Sequence, residues 1–285
     1  MTVATGSTVA VRPVASDIDV FGLTHQGKLR RVNQDQFLIA SLHKTMQVHA
    51  SSVPATQLGD LTSESRLYLC IVADGVGGRP GGEQASGTAL KAIAQYATHT
   101  MKLSSRHDEA QEGRFLEELE RAVAESHAAV REDPESSATT LTMAVFRWPR
   151  AYLVHVGDSR CYRLREGKLE LLTKDHTMAQ ALVDAGVLPP AEASATRWAH
   201  VLSSALGAEQ PRPDIITLDS RWEDVMLLCT DGLTKHVAED EITEQLATVK
   251  SSEMICRNLI DLALARGGTD NVTVVTGRLR ERAPA

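Results

Sequence analysis

Three acidic residues stand where short apolar runs begin or end. Asp74, followed by Gly75, closes the run 67–73; Asp231, followed by Gly232, closes 225–230; Asp270, followed by Asn271, opens 272–276. Carboxylates at strand ends, beside glycines that let the backbone approach a ligand, gather oxygen donors around hard cations. A single Asp-Gly pair is usually only a turn. Asp158 in Val156-Gly-Asp-Ser-Arg160 and Asp35 in Arg30-Arg-Val-Asn-Gln-Asp35 extend the pattern to five acids in like contexts. Drawn together, such carboxylates repel one another and raise their own pKa values unless cations neutralise them. Two divalent ions would supply that charge. An oxygen-rich, histidine-poor donor set suits Mg²⁺ or Mn²⁺ rather than Zn²⁺.

Apolar periodicity predicts the elements that must hold these acids. Segments 17–23 and 36–41 have strand character and flank 30–35 as a loop, while 43–65 has no sustained period and reads as an exposed connection. The run 67–73 is continuous and of strand length, as expected for a strand buried on both faces. Helical spacing covers 83–101 and 115–130, and Asp133-Pro134 stops the second helix. From Thr139 the period becomes two, and 140–148, 151–157, 161–165 and 168–172 read as a four-strand antiparallel meander. Segment 177–205 breaks that regularity with a short helix near 178–185 and Pro189-Pro190. Strands at 214–218 and 225–230, helices at 239–246 and 253–265, and a last strand at 271–279 follow. This order is not the alternation of a doubly wound sheet. It predicts an α+β fold layered around antiparallel sheets, in one domain over 17–280 with loose tails at 1–16 and 281–285.

Composition narrows the function classes. At 285 residues with 42% hydrophobic content, the chain buries enough surface for a core without disulfides or a structural metal. A net charge of −7 argues against a nucleic-acid partner. Cys70, Cys161, Cys229 and Cys256 show no C-x-x-C spacing, and Cys70 and Cys229, inside apolar strand-like runs, read as reduced core residues. No apolar run is long enough to span a bilayer, and 1–16 lacks the apolar stretch of a secretory signal. The expectation is a cytoplasmic monomer.

The order and wording of the motifs resemble the metal-dependent Ser/Thr protein phosphatases of the type-2C class, in their bacterial form. The resemblance rests on Arg30-x-x-Asn33-Gln34-Asp35, Ala73-Asp-Gly-Val-Gly-Gly78 and Thr139-Thr140. It continues through Val156-Gly-Asp-Ser-Arg160, Thr173-Lys-Asp-His176, Leu228-Cys-Thr-Asp-Gly-Leu-Thr234 and Gly268-Thr-Asp-Asn-Val-Thr273. It implies two packed antiparallel sheets flanked by helix pairs, with metals in a cleft at one edge. It further implies hydrolysis of phosphoserine and phosphothreonine on proteins, opposing Ser/Thr kinases, by a water or hydroxide bridging two Mn²⁺ or Mg²⁺ ions. On this resemblance Asp74 bridges the two ions and the Gly75 carbonyl binds one of them. Asp231 and Asp270 complete the other, Asp35 acts on the second through water, and Asp158 belongs to a third, weaker ion. Arg30 matches the phosphate-binding arginine, Asn33 holds its loop, and Arg31 is a solvated neighbour. Segment 177–205 matches a flap beside the cleft, with His176 anchoring it and His155 in the core.

Three departures from the pattern matter. Val76 stands where animal members carry a histidine implicated in protonating the leaving oxygen, so the proton donor is unassigned. Ala138 replaces a glycine before the Thr-Thr pair. Lys235 replaces an aspartate, which puts a third ion in doubt if its ammonium lies among the acids, and has no such effect if it points to solvent. Two rival readings are a non-catalytic phosphoprotein-binding module and a two-metal nuclease. The first would be expected to lose metal acids, and Asp74, Asp231 and Asp270 are all present. The second would carry a basic–aromatic track, which this acidic chain lacks.

Overall fold

Ten strands pair into two antiparallel sheets in the computed structural model, which describes residues 13–45, 62–76, 81–101, 109–209 and 211–280. In spatial order the first sheet holds β1 (Ile18–His25), β10 (Val272–Leu279), β9 (Val225–Cys229), β6 (Arg160–Arg165) and β7 (Lys168–Leu171). The second holds β2 (Asp35–Thr45), β3 (Thr62–Asp74), β4 (Leu141–Arg147), β5 (Arg150–Val156) and β8 (Asp214–Asp219). The helices are α1 (Gly82–His99), α2 (Glu109–Glu132), α3 (Met178–Asp184), α4 (Asp231–Thr234), α5 (Glu239–Thr248) and α6 (Ser252–Ala265).

Alternation along the strands explains the layering. On β3, Leu67, Leu69, Ile71 and Ala73 meet Ala85, Ala89, Ile93 and Leu119 of α1 and α2, while Cys70 and Val72 turn to the other sheet. On β9, Val225, Leu227 and Cys229 meet Ile242, Ile255 and Leu259 of α5 and α6, while Met226 and Leu228 face inward. Both faces are thus covered, so an antiparallel strand reads as an unbroken apolar run. Each fully buried Val or Leu in these layers contributes ~1.5–3 kcal/mol through removal from water. The result is the expected α+β sandwich, with helix pairs outside two sheets.

One expectation fails. The four strands after Thr139 do not form a single meander: β4 and β5 pair in the second sheet, and β6 and β7 in the first. The chain passes between sheets at Gly157-Asp158-Ser159. A period of two marks a strand but not the sheet it joins, because both sheets bury the same kind of face. Element ends also move: α2 starts before 115, and β2 and β3 extend into the segment expected as loop, of which 46–61 lie outside the described residues. Of the expected tails, 1–12 and 281–285 lie outside the described residues, and Ala15–Asp17 is a 3-10 turn.

Candidate metal centre

Strand register brings the acids to one end of the sandwich. Asp35, opening β2, pairs directly with Asp74, closing β3. Cys229 pairs with Val274, so Asp231 just past β9 and Asp270 just before β10 leave the first sheet at the same end. Asp158 sits on the crossing between sheets. Asp74, Asp158, Asp231 and Asp270 line a cleft of about 640 Å³, together with Gly75, Arg30 and Lys235. Asp35, 1% exposed, lies beneath it.

Short-range contacts fix the backbone at each acid. The Asp74 carbonyl accepts from the Thr140 N–H and the Thr139 hydroxyl, both at 2.9 Å, and the Asp74 N–H donates to Thr140 Oγ1 at 2.9 Å. A Cβ on Gly75 would lie 2.2 Å from the Gly82 carbonyl oxygen, and one on Gly232 would lie 1.9 Å from that of Asn271. Only glycine permits these backbone approaches. Asn271 Nδ2 donates to the carbonyls of Gln26 (2.7 Å) and Val32 (3.0 Å), and its Oδ1 accepts from the Gln34 N–H (2.9 Å). The loop carrying Arg30 is therefore tied to the residue after Asp270. Asn33 donates to Thr24 Oγ1 and accepts from the Asp35 N–H, holding the same loop.

The electrostatics are those of an acid cluster short of positive charge. Burial, then the charges of Asp35, Asp231, Asp158 and Asp270, hold the Asp74 carboxyl well above the usual range. Burial also pushes Asp35 up to about 7, against the opposing effect of the Thr230 and Thr273 hydroxyls, which each donate to its Oδ2 at 2.8 Å. Asp158 is pushed up to about 7 by burial and by Asp231. Asp270 goes the other way: burial opposes its ionisation, but hydrogen bonds from Arg30 and Lys235 keep it below the usual range. Arg30 grips it with Nε at 2.7 Å from Oδ1 and Nη2 at 2.9 Å from Oδ2. Lys235 Nζ lies 2.6 Å from Asp231 Oδ2 and 2.7 Å from Asp270 Oδ2. Lys235 thus turns toward the acids rather than toward solvent, and its two partners are Asp231 and Asp270.

Among the described residues no three acidic, His or Cys side chains are gathered into a closed ligand set. Asp35 Oδ1 and Asp231 Oδ1 are nevertheless buried with no hydrogen-bond partner. Buried polar atoms without partners cost about 1–3 kcal/mol each, and more when charged. Unpartnered oxygens, carboxyls pushed up by burial and by one another's charge, and donors that are all oxygen fit a hard divalent cation.

A family model described as protein phosphatase 2C matches residues 57–260. The chain belongs to the protein phosphatase 2C family. It is 38% identical over 213 residues to the serine/threonine protein phosphatase PstP of Mycobacterium tuberculosis, covering 73% of this chain and 39% of that protein. The chain thus spans about two fifths of that relative's length. It is 30% identical over 219 residues to the serine/threonine phosphatase stp of Listeria monocytogenes, covering 76% of this chain and 86% of that one. Among solved structures, the catalytic domain of PstP in complex with two manganese ions aligns with a TM-score of 0.69 at 31% identity. That alignment covers 93% of this chain and 99% of the other.

Within this phosphatase 2C fold the remaining motif residues serve the frame. Arg160 pairs with Asp175 through Nε at 3.0 Å and Nη2 at 2.8 Å. His176 accepts from the Gly157 N–H and meets Asp214 at 3.1 Å, anchoring the start of 177–205. His155 is fully buried against Thr142 and the Lys174 carbonyl. Arg31 is exposed, and all four cysteines are free and buried. Sequence reasoning missed Asn271, the Thr230–Thr273 pair beneath Asp35, and His200, which 177–205 brings to the cleft wall. The Asp270-Asn271 phrase carried a signal for the first. Nothing in the irregular period of 177–205 pointed to His200.

Proposed function

We propose that this chain hydrolyses phosphoserine and phosphothreonine on proteins, with two divalent ions, Mn²⁺ or Mg²⁺, held in the acidic cleft. The observation that carries the reading is the convergence of four carboxylates on one cleft, with Asp35 paired beside Asp74, and two buried, unpartnered oxygens. The two manganese ions of the PstP catalytic domain support it. Asp74 would face both ions, with the Gly75 carbonyl on one. Asp231 and Asp270 would complete the other, and Asp35 would act through water. Asp158 marks a third position, which Lys235 leaves weak or empty. Ions bound there would polarise phosphoryl oxygens and lower the pKa of a shared water.

The chain's own residues supply orientation and charge. Arg30, 39% exposed at the cleft wall, offers a planar fork suited to two phosphate oxygens. Segment 177–205 borders the cleft through His200, Val201 and Leu202 and would help select the phosphoprotein. The domain is 17–280, and the physiological counterparts are Ser/Thr kinases. Four free, buried cysteines support a reducing, cytoplasmic setting.

Two measurements test this reading. Phosphopeptide hydrolysis should vanish after extensive dialysis against chelator and return with Mn²⁺; full activity in excess chelator would sink the metal mechanism. Arg30→Ala should lower kcat/KM about 10–100-fold, mainly through KM, since it removes charge-assisted phosphate contacts worth ~1.5–3 kcal/mol. If steady-state kinetics left both constants unchanged, Arg30 would have no part in phosphate binding.

A further inference from the structure

Lys235 stands at the end of a one-turn helix whose first residue is Asp231, and its N–H donates to the Asp231 carbonyl at 2.9 Å. Four-residue spacing returns its side chain over the Asp231 carboxylate. From there Nζ reaches Oδ2 of both Asp231 and Asp270, within 2.7 Å of each. The lysine side chain is 25% exposed and the two carboxylates 16% and 14%, so the pairing is largely shielded from solvent. Burial works against the ammonium, yet the two acids hold its pKa above the ordinary lysine value. Arg30 approaches Asp270 from a separate loop and does not touch Asp231.

We propose that Lys235 is a built-in cation for the Asp231–Asp270 pair, and that a divalent ion takes those two oxygens only by displacing it. This rests on the two-ion reading above and extends it: Lys235 weakens the ion held by Asp231 and Asp270, not only a third one. An ammonium at hydrogen-bond distance from both Oδ2 atoms occupies the space an ion would need. Two cations sharing the same oxygens repel at close range. In the metal-free protein the same ammonium offsets the repulsion between Asp231 and Asp270 and so stabilises the fold. Its effects on metal affinity and on metal-free stability therefore have opposite signs.

The experiment titrates the full chain with Mn²⁺ by calorimetry and follows its thermal unfolding in chelator, for the unmodified protein, Lys235→Gln and Lys235→Arg. Lys235→Gln is expected to bind its tightest Mn²⁺ roughly tenfold more strongly. Its metal-free Tm should fall by about 2–4 °C. Lys235→Arg keeps the charge and should retain the weaker affinity. In the unmodified protein, saturating Mn²⁺ should make Lys235 react several-fold faster with an amine-acylating reagent, read by mass spectrometry; this arm needs no variant. Affinity unchanged or weakened in Lys235→Gln, an unaltered metal-free Tm, or labelling indifferent to Mn²⁺ would overturn the proposal. None of these readouts is hydrolysis, so chelator-resistant phosphatase activity would remove the two-ion reading without being confused with this outcome.

Discussion

Asp231→Asn is expected to lower kcat on a phosphopeptide by on the order of 10³-fold at saturating Mn²⁺, with the fold retained. Asparagine matches aspartate in size, so packing around the end of β9 should survive. What it removes is charge and one acceptor, at a carboxylate whose Oδ1 is buried without a partner and whose Oδ2 meets Lys235. A group in that state has no structural bond on Oδ1 to lose, so a large kinetic effect would report its part in the chemistry. Asp270→Asn should behave alike. It also frees Arg30, whose guanidinium grips Asp270 through both oxygens. Asp158→Asn should cost far less, because on the proposed reading Asp158 serves neither of the two main ions. Steady-state kinetics, with circular dichroism as the control for folding, decides the matter. An Asp231→Asn enzyme within tenfold of the unmodified one would remove Asp231 from the centre.

The difference between what was legible in the sequence and what was not has a physical pattern. Leu67–Ala73 was readable as a doubly buried strand because burial on both faces leaves an unbroken apolar run, and 225–230 was readable as a strand. The gathering of Asp35, Asp74, Asp158, Asp231 and Asp270 was readable because each sits at a strand end, beside small or polar residues. The partition of four successive strands between two sheets was not, since it depends on which partner each edge meets. Asn271, Thr230 and Thr273 act through hydrogen bonds to residues about two hundred positions away in sequence. No local spacing encodes such contacts. Lys235 shows the same limit in one residue. Its place in the Asp-Gly-x-x-Lys phrase was evident, but its second partner, Asp270, comes from a different strand end.

The metal-free protein is expected to lose stability as pH rises from about 4 to about 7, and Mn²⁺ is expected to remove most of that loss. Burial pushes Asp35 and Asp158 each up to about 7, from an ordinary value near 3.8, and holds Asp74 higher than its ordinary value too. Between the unfolded and folded pKa values the folded state carries more protons than the unfolded one, so stability falls with pH across that window. His155 pulls the other way: burial pushes it down to about 4, so it adds stability as pH rises toward its ordinary 6.5. Burial and Arg131 lower His127 as well. Asp270, held below its ordinary value by Arg30 and Lys235, keeps its contribution throughout. The net fall is the excess of the raised carboxyls over these imidazoles. Divalent ions bind the deprotonated carboxylates, so their affinity rises over the same window and their binding offsets the loss. Thermal unfolding from pH 5 to 8, in chelator and in excess Mn²⁺, gives both curves. A chelated protein whose Tm stayed flat or rose over that range would mean that Asp35, Asp74 and Asp158 do not outweigh the imidazoles, and the expected loss would be refuted.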